Sequence, residues 1–205
     1  MATPSHGVSR IGLVVLGIVL VAGISVTRGY NTLVQLDQQV QSQWGQVQNV
    51  YQRRLDLVPN LVETVKGAAA FEKGTFTAVA EARAKVGQVS AWMPSGPAKD
   101  SVQFGRFQQA QDGLSSALSR LMVVVERYPE LKATENFRDL QAQLEGTENR
   151  IAVERMRFNE AAQSFNATRD SFPTNVVAGM FGDRFREKPY FTAQPAAQAA
   201  PKVKF

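Results

Sequence analysis

Phe137 to Phe165 reads FRDLQAQLEGTENRIAVERMRFNEAAQSF, and within it Phe137, Leu144, Ile151, Phe158 and Phe165 stand seven residues apart. A helix that repeats an apolar residue at this interval buries a narrow stripe against a neighbour. The stretch therefore predicts one long packed helix, from about Leu131 to Asp170, joined on its stripe by Leu140 and Ala161 and ended by Phe172-Pro173. The phase of the seam turns Thr147 and Glu154 inward. A buried carboxylate needs a partner, and Arg53 or Arg54 are the candidates for Glu154. Such a pair would fix the register of the helices; in the alternative reading, Glu154 and the arginines contact a ligand, with phosphate one option for Arg53 and Arg54.

Three more segments with near-3.5-residue spacing lie outward from this seam. Tyr30 to about Arg54 places Leu33, Leu36, Val40, Trp44, Val47 and Tyr51 on one side. Its end is expected at Leu55-Asp56-Leu57-Val58-Pro59, because proline has no N–H to donate and pushes the residue before it out of helical geometry; Asp56 would then cap the next helix. That second helix runs from Pro59 to Gln88 with Leu61, Val62, Val65, Ala69, Phe76, Val79 and Val86, weakened locally by Gly67 and Gly74. Breakers at Ser90 and Pro94 to Pro97 separate it from a third, which starts near Asp100, carries Phe104, Phe107, Leu114, Leu118, Leu121, Val125 and Tyr128, and closes at Pro129. Short connections between four amphipathic helices favour an all-α, antiparallel up-and-down four-helix bundle over residues 29–171. Phe104, Phe107, Phe158 and Phe165 read as its core, with a ligand pocket as the alternative.

Ahead of the bundle, Ile11 to Thr27 holds no charged side chain and is fenced by Arg10 and Arg28. A helix of this length rises roughly 25 Å, close to the roughly 30 Å of bilayer hydrocarbon, and Tyr30 and Arg28 suit the boundary with headgroups. Residues 11–28 are thus expected to be a transmembrane anchor and 1–10 a short tail. A cleaved secretory signal is the rival reading, opposed because no Ala-x-Ala-like site follows the apolar run: around Ala22 to Val26 bulky residues such as Ile24 and Val26 stand where small ones are wanted. Charge counting leans towards an amino terminus inside the cell. Beyond the bundle, 172–191 contains apolar residues that could dock back, among them Met180, Phe181, Tyr190 and Phe191, and 192–205 is an Ala/Pro-rich tail of disordered composition.

Composition narrows the chemistry. The net charge of +5 arises from 23 basic residues interspersed with 18 acidic ones, which suits nearby anionic lipid better than nucleic acid. There is no cysteine, and the lone histidine, His6, precedes the apolar run; neither a Ser-His-Asp nor a Cys-His set can be assembled in the bundle. A di-iron site wants Glu-x-x-His on two helices and zinc wants Cys or His. No glycine-rich phosphate cradle occurs. No catalytic, cofactor-binding or metal residue is therefore assigned, and the chain is expected not to be an enzyme; paired Glu145 and Glu148 would be the carboxylates of a contrary, hydrolytic reading.

Several strings resemble the LemA family of membrane-anchored helical proteins: Tyr30-Asn31 after the apolar run, VQNVYQRRLDLVPNLVETVKG from Val47 to Gly67, LSRLMVVVERYPELK from Leu118 to Lys132, and LQAQLEGTENRIAVERMRFN from Leu140 to Asn159. The resemblance implies an anchored bundle of unassigned molecular function, usually bacterial, with its short amino terminus outside the cytoplasm, against the charge count. Where the family often reads KGYAxHE this chain has Lys66 to Glu72 as KGAAAFE, and Asp183 to Lys188 intervene between Gly182 and Pro189-Tyr190-Phe191. The expectation is a single-pass membrane scaffold or interaction protein, in the bacterial cytoplasmic membrane, contacting the bilayer through residues 11–28 and other membrane proteins or its own copies through the bundle. The alternative is a sensor or carrier with a small ligand between the helices.

Overall fold

A computed structural model describes residues 10–68, 73–91 and 101–192. The tail at 1–9, the linker at 92–100 and the Ala/Pro-rich end from 193 lie outside the described residues, as do the departures from the family string at Ala69 to Glu72. Among the described residues there is no strand. The elements are α1 (Arg10–Ala68), α2 (Lys73–Ala91), α3 (Ser101–Val125), the single turn α4 (Pro129–Lys132), α5 (Glu135–Asp170) and α6 (Thr174–Phe181), followed by a 3-10 turn at Gly182–Phe185.

The main departure from the sequence expectation is at Pro59, where α1 does not end. It continues for nine more residues to Ala68. Proline leaves the carbonyl four residues earlier, that of Leu55, without its helical partner, and here the Arg83 guanidinium from α2 donates Nε–H to that carbonyl at 3.4 Å. Beyond the proline, Leu61 and Val65 are buried, as is Val58 before it. Burying each contributes roughly 1.5 to 3 kcal/mol, which together outweighs a proline cost of about 3 kcal/mol. Asp56 caps nothing; it accepts a 2.7 Å hydrogen bond from Gln52 within α1. The second helix, α2, begins only at Lys73, within the span from Pro59 to Gln88 that the sequence reading assigned to one helix.

Side-chain pairings fix the directions. Trp44 packs on Phe158 at 5.7 Å between ring centroids, and Arg54 meets Glu148, so α5 runs antiparallel to α1. Trp44 also packs on Phe107 and Arg54 bonds Ser115, so α3 runs with α1. Arg83 lies at Leu55 while Ser90 lies near Gln48, so α2 runs against it. The result is an up-down-up-down bundle whose first helix projects well past the others. All five seam residues of α5 are buried.

The core has two apolar clusters. One gathers Trp44, Phe104, Phe107, Phe158, Phe165 and Phe191; the other gathers Leu55, Leu61, Val79, Leu114, Leu121, Phe137 and Leu144. Trp44 touches Phe104, Phe107, Phe158 and Phe191 rings at 5.2 to 6.3 Å. The aromatic set thus packs as core, with Phe191 closing over it.

Phe191 is delivered by an extended segment held on side-chain amides. Asn159 Nδ2 donates to the Phe191 carbonyl at 2.9 Å while its Oδ1 accepts from the Phe191 N–H at 2.8 Å. Asn166, two turns on, clasps Lys188 in the same way, and Gln108 clasps Thr192. Each amide substitutes for the backbone of a neighbouring strand. Upstream, α6 crosses α1 at Gly29, where any Cβ would stand 3.2 Å from Val177 Cγ2. Gly182, at φ +47°, turns the chain into the 3-10 segment, which buries Phe185 against Tyr30.

Candidate functional site

Polar side chains gather at one level, between the two apolar clusters. Arg54 is fully buried on α1. Its Nη1 donates to Ser115 Oγ at 2.6 Å and to Glu148 Oε1 at 2.8 Å, and its Nη2 donates to the side-chain and main-chain oxygens of Gln111. Two turns along α5 from Glu148, Arg155 donates Nε–H to the Tyr51 hydroxyl and Nη2–H to Asp112 at 3.1 Å. Tyr51 lies under both guanidinium groups, 5.1 Å from Arg54 Cζ and 5.6 Å from Arg155 Cζ. Two arginines face two carboxylates, so the layer is neutral in sum.

Burial pushes the Tyr51 hydroxyl above its ordinary pKa, and the Arg155 guanidinium offsets only part of that rise. Burial alone would lower Arg155, but Tyr51 and Asp112 outweigh it and hold the guanidinium higher. Both groups therefore keep their neutral-pH forms, a hydroxyl and a cation. An arrangement of this kind can orient helices and exclude slippage; it presents no activated nucleophile.

The residues proposed from sequence are redistributed. Thr147 does face inward, donating its hydroxyl to the Gln143 carbonyl at 2.7 Å. Glu154 does not meet Arg53 or Arg54: it is half-buried and pairs with Arg157 on its own helix at 2.9 Å. Arg53 points outward. The carboxylate opposite Arg54 is Glu148, which sequence reasoning missed along with Arg155, Asp112 and Gln111. The reason is the width of the buried stripe. On α5, positions four after the seam residues, namely Glu148, Arg155 and Ala162, also turn inward, where Arg155 meets Asp112 of α3 and Glu148 meets Arg54 of α1. Arg155 sits between Ile151 and Phe158 at helical spacing, and that was the available signal.

Two clefts open from this layer. The larger, about 460 Å³, lies between α3 and α5 and is lined by Ser115, Ser119, Gln141, Glu145, Glu148 and Asn149 with Leu118 and Met122 beneath. The smaller, about 220 Å³, is bordered by Gln48, Tyr51, Ser90 and Gln111. Glu145 and Glu148 thus share the rim of one cleft. Among the described residues no three His, Cys, Asp or Glu side chains gather as metal ligands.

The LemA family profile matches residues 43–205, from the level of Trp44 onward. The chain belongs to the LemA family. Membership rests on the bundle, since the match begins after the apolar run. LemA-family relatives of this chain include magnetosome proteins MamQ 2 and MamQ 1 of Paramagnetospirillum magneticum, each 29% identical over 181 residues. The magnetosome protein MamQ of Magnetospirillum gryphiswaldense is 27% identical over the same length. These alignments cover 82% of this chain and 66% of each relative, so this LemA-family chain spans just under two thirds of their length. The start of α1 supplies the one helix among the described residues long and apolar enough to cross a membrane.

Proposed function

We propose that this LemA-family protein is a single-pass, non-catalytic scaffold of a bacterial cytoplasmic membrane, with residues 11–28 in the bilayer and the bundle offering its charged faces to membrane-associated proteins or to copies of itself. The observation that carries the proposal is the fate of the apolar surface on α1. Ile11 is 76% exposed, and Leu13, Ile18, Val21 and Ile24 are each more than half exposed among the described residues, so lipid is the solvent that suits them. The charges inside the bundle are already matched to one another, which suits a body kept in register for docking better than a reaction centre. Nucleic acid is not among the proposed partners. Crosslinking with mass spectrometry in native membranes tests the reading. Repeated crosslinks from bundle lysines to the same membrane proteins, or to the chain itself, are expected; a chain found only in the wash fraction would end it.

The larger cleft favours a second reading, a sensor or carrier for a small cationic ligand. Its rim presents Glu145 and Glu148, with Arg54 behind Glu148, so an amine or metal cation suits it better than phosphate. Native mass spectrometry of protein purified under gentle conditions would show a bound mass lost in Glu145→Gln; the same spectrum for both chains would discard this reading.

A further inference from the structure

The apolar surface of α1 ends where α6 begins, and α6 carries uncovered apolar surface of its own. Val177 and Ala178 of α6 are buried, but Phe172 just before it is 83% exposed, Val176 53% and Met180 66%, and the eight-residue helix holds no charged side chain. Val176 and Met180 stand four residues apart in α6, which puts them on one face, and Phe172 lies just ahead of the helix.

The course of α6 is as informative as its composition. Thr174 and Val177 both approach Gly29, and Phe181 packs on Tyr30 at 4.8 Å between ring centroids. Over its whole length α6 therefore stays at one level of α1, running across that helix rather than along it. The level is the boundary between the lipid-suited run ending at Thr27 and the first buried position, Gly29. Two arginines flank it. Arg184 lies over the Tyr30 ring at 5.4 Å, and among the described residues neither it nor Arg28 has an ion-pair partner.

From these observations we infer that α6 is an interfacial helix: Phe172, Val176 and Met180 enter the headgroup and upper acyl region of the same bilayer that holds α1, while Arg28 and Arg184 meet anionic headgroups. A short apolar face lying in the membrane plane with cations beside it has the character of such elements. The protein then touches lipid at two places, one spanning and one lying flat, and the second sets how the bundle sits on the surface. This inference rests on the membrane reading of α1, so its test reports on both.

The chain has no cysteine, which allows single labels. Full-length Val19→Cys, Met180→Cys, Val176→Cys and Gln143→Cys would each carry an environment-sensitive NBD fluorophore in phosphatidylcholine and phosphatidylglycerol vesicles, with nitroxide quenchers on lipid headgroups or deep in the acyl chains. Position 19 is expected to be quenched by the deep nitroxide, positions 176 and 180 by the shallow one with blue-shifted emission, and position 143, on an exposed face of α5, by neither. Quenching at 19 without quenching at 176 or 180 overturns the interfacial helix and leaves the anchor standing. Absence of quenching at 19 overturns both. A blue shift at 180 that no nitroxide lipid quenches places protein on this face and also overturns the inference. Circular dichroism of each labelled chain confirms that the bundle is intact.

Discussion

Arg53 and Arg54 are neighbours in sequence with opposite surroundings. Arg54→Met leaves the buried Gln111 side-chain oxygen without its donor, while Glu148, 39% exposed, can turn to water, and an unmet buried polar group costs about 1 to 3 kcal/mol. Arg53→Met, on the exposed face, should change stability by no more than about 0.5 kcal/mol; equal urea midpoints for the two variants would contradict the arrangement. Tyr51 adds a pH dependence. Its hydroxyl pKa is raised in the folded state above the ordinary 10.0, so the unfolded chain loses this proton first, and the stabilisation is present below pH 10 and lost as pH rises through the folded value. Stability measured from pH 8 to 11 should decline beyond about pH 10, and the decline should be shallower in Tyr51→Phe. At this scale the seam residues of α5 were legible, since seven-residue spacing fixes a face. The partner of Arg54 was not, because spacing along one helix does not reveal how many neighbours that helix has.

Among the elements, α1 and α2 depend on each other at the carbonyl that Pro59 leaves open. Pro59→Ala restores an N–H that can reach the Leu55 carbonyl, whereas Arg83→Ala in the native chain removes a hydrogen bond contributing about 1 kcal/mol. The two changes should couple: Arg83→Ala should cost measurably less in the Pro59→Ala background, as a double-mutant cycle of denaturation midpoints would show. Strict additivity would mean that Arg83 is not the carbonyl's substitute partner. The number of long helices and their alternation were readable from apolar spacing and short connections. The end of the first helix was not, because proline is a strong local signal that burial of Val58, Leu61 and Val65 overrides, and α1 runs on to Ala68. The loop-like insertion from Asp183 to Lys188 hid a core residue, Phe185, which no periodicity announces.

For the whole molecule, the prediction concerns separability. A chain begun at Gly29 should leave the membrane fraction after a carbonate wash, stay dissolved without detergent and retain a strongly helical circular dichroism spectrum, since both apolar clusters lie beyond Thr27. A spectrum dominated by strand would refute the bundle. The all-α class and family were legible from the string of heptads and the local motifs; a molecular activity was not, because the conspicuous polar residues are consumed in holding helices together. The helix α1 runs unbroken from Arg10 through Thr27 to the level of Trp44, well short of Pro59. With its start in lipid as proposed, a shaft with no swivel at the membrane boundary cannot lean without swinging the body mounted on it, so a thicker or thinner bilayer would tip the bundle by the same angle, and lipid thickness would become a quantity this protein converts into posture.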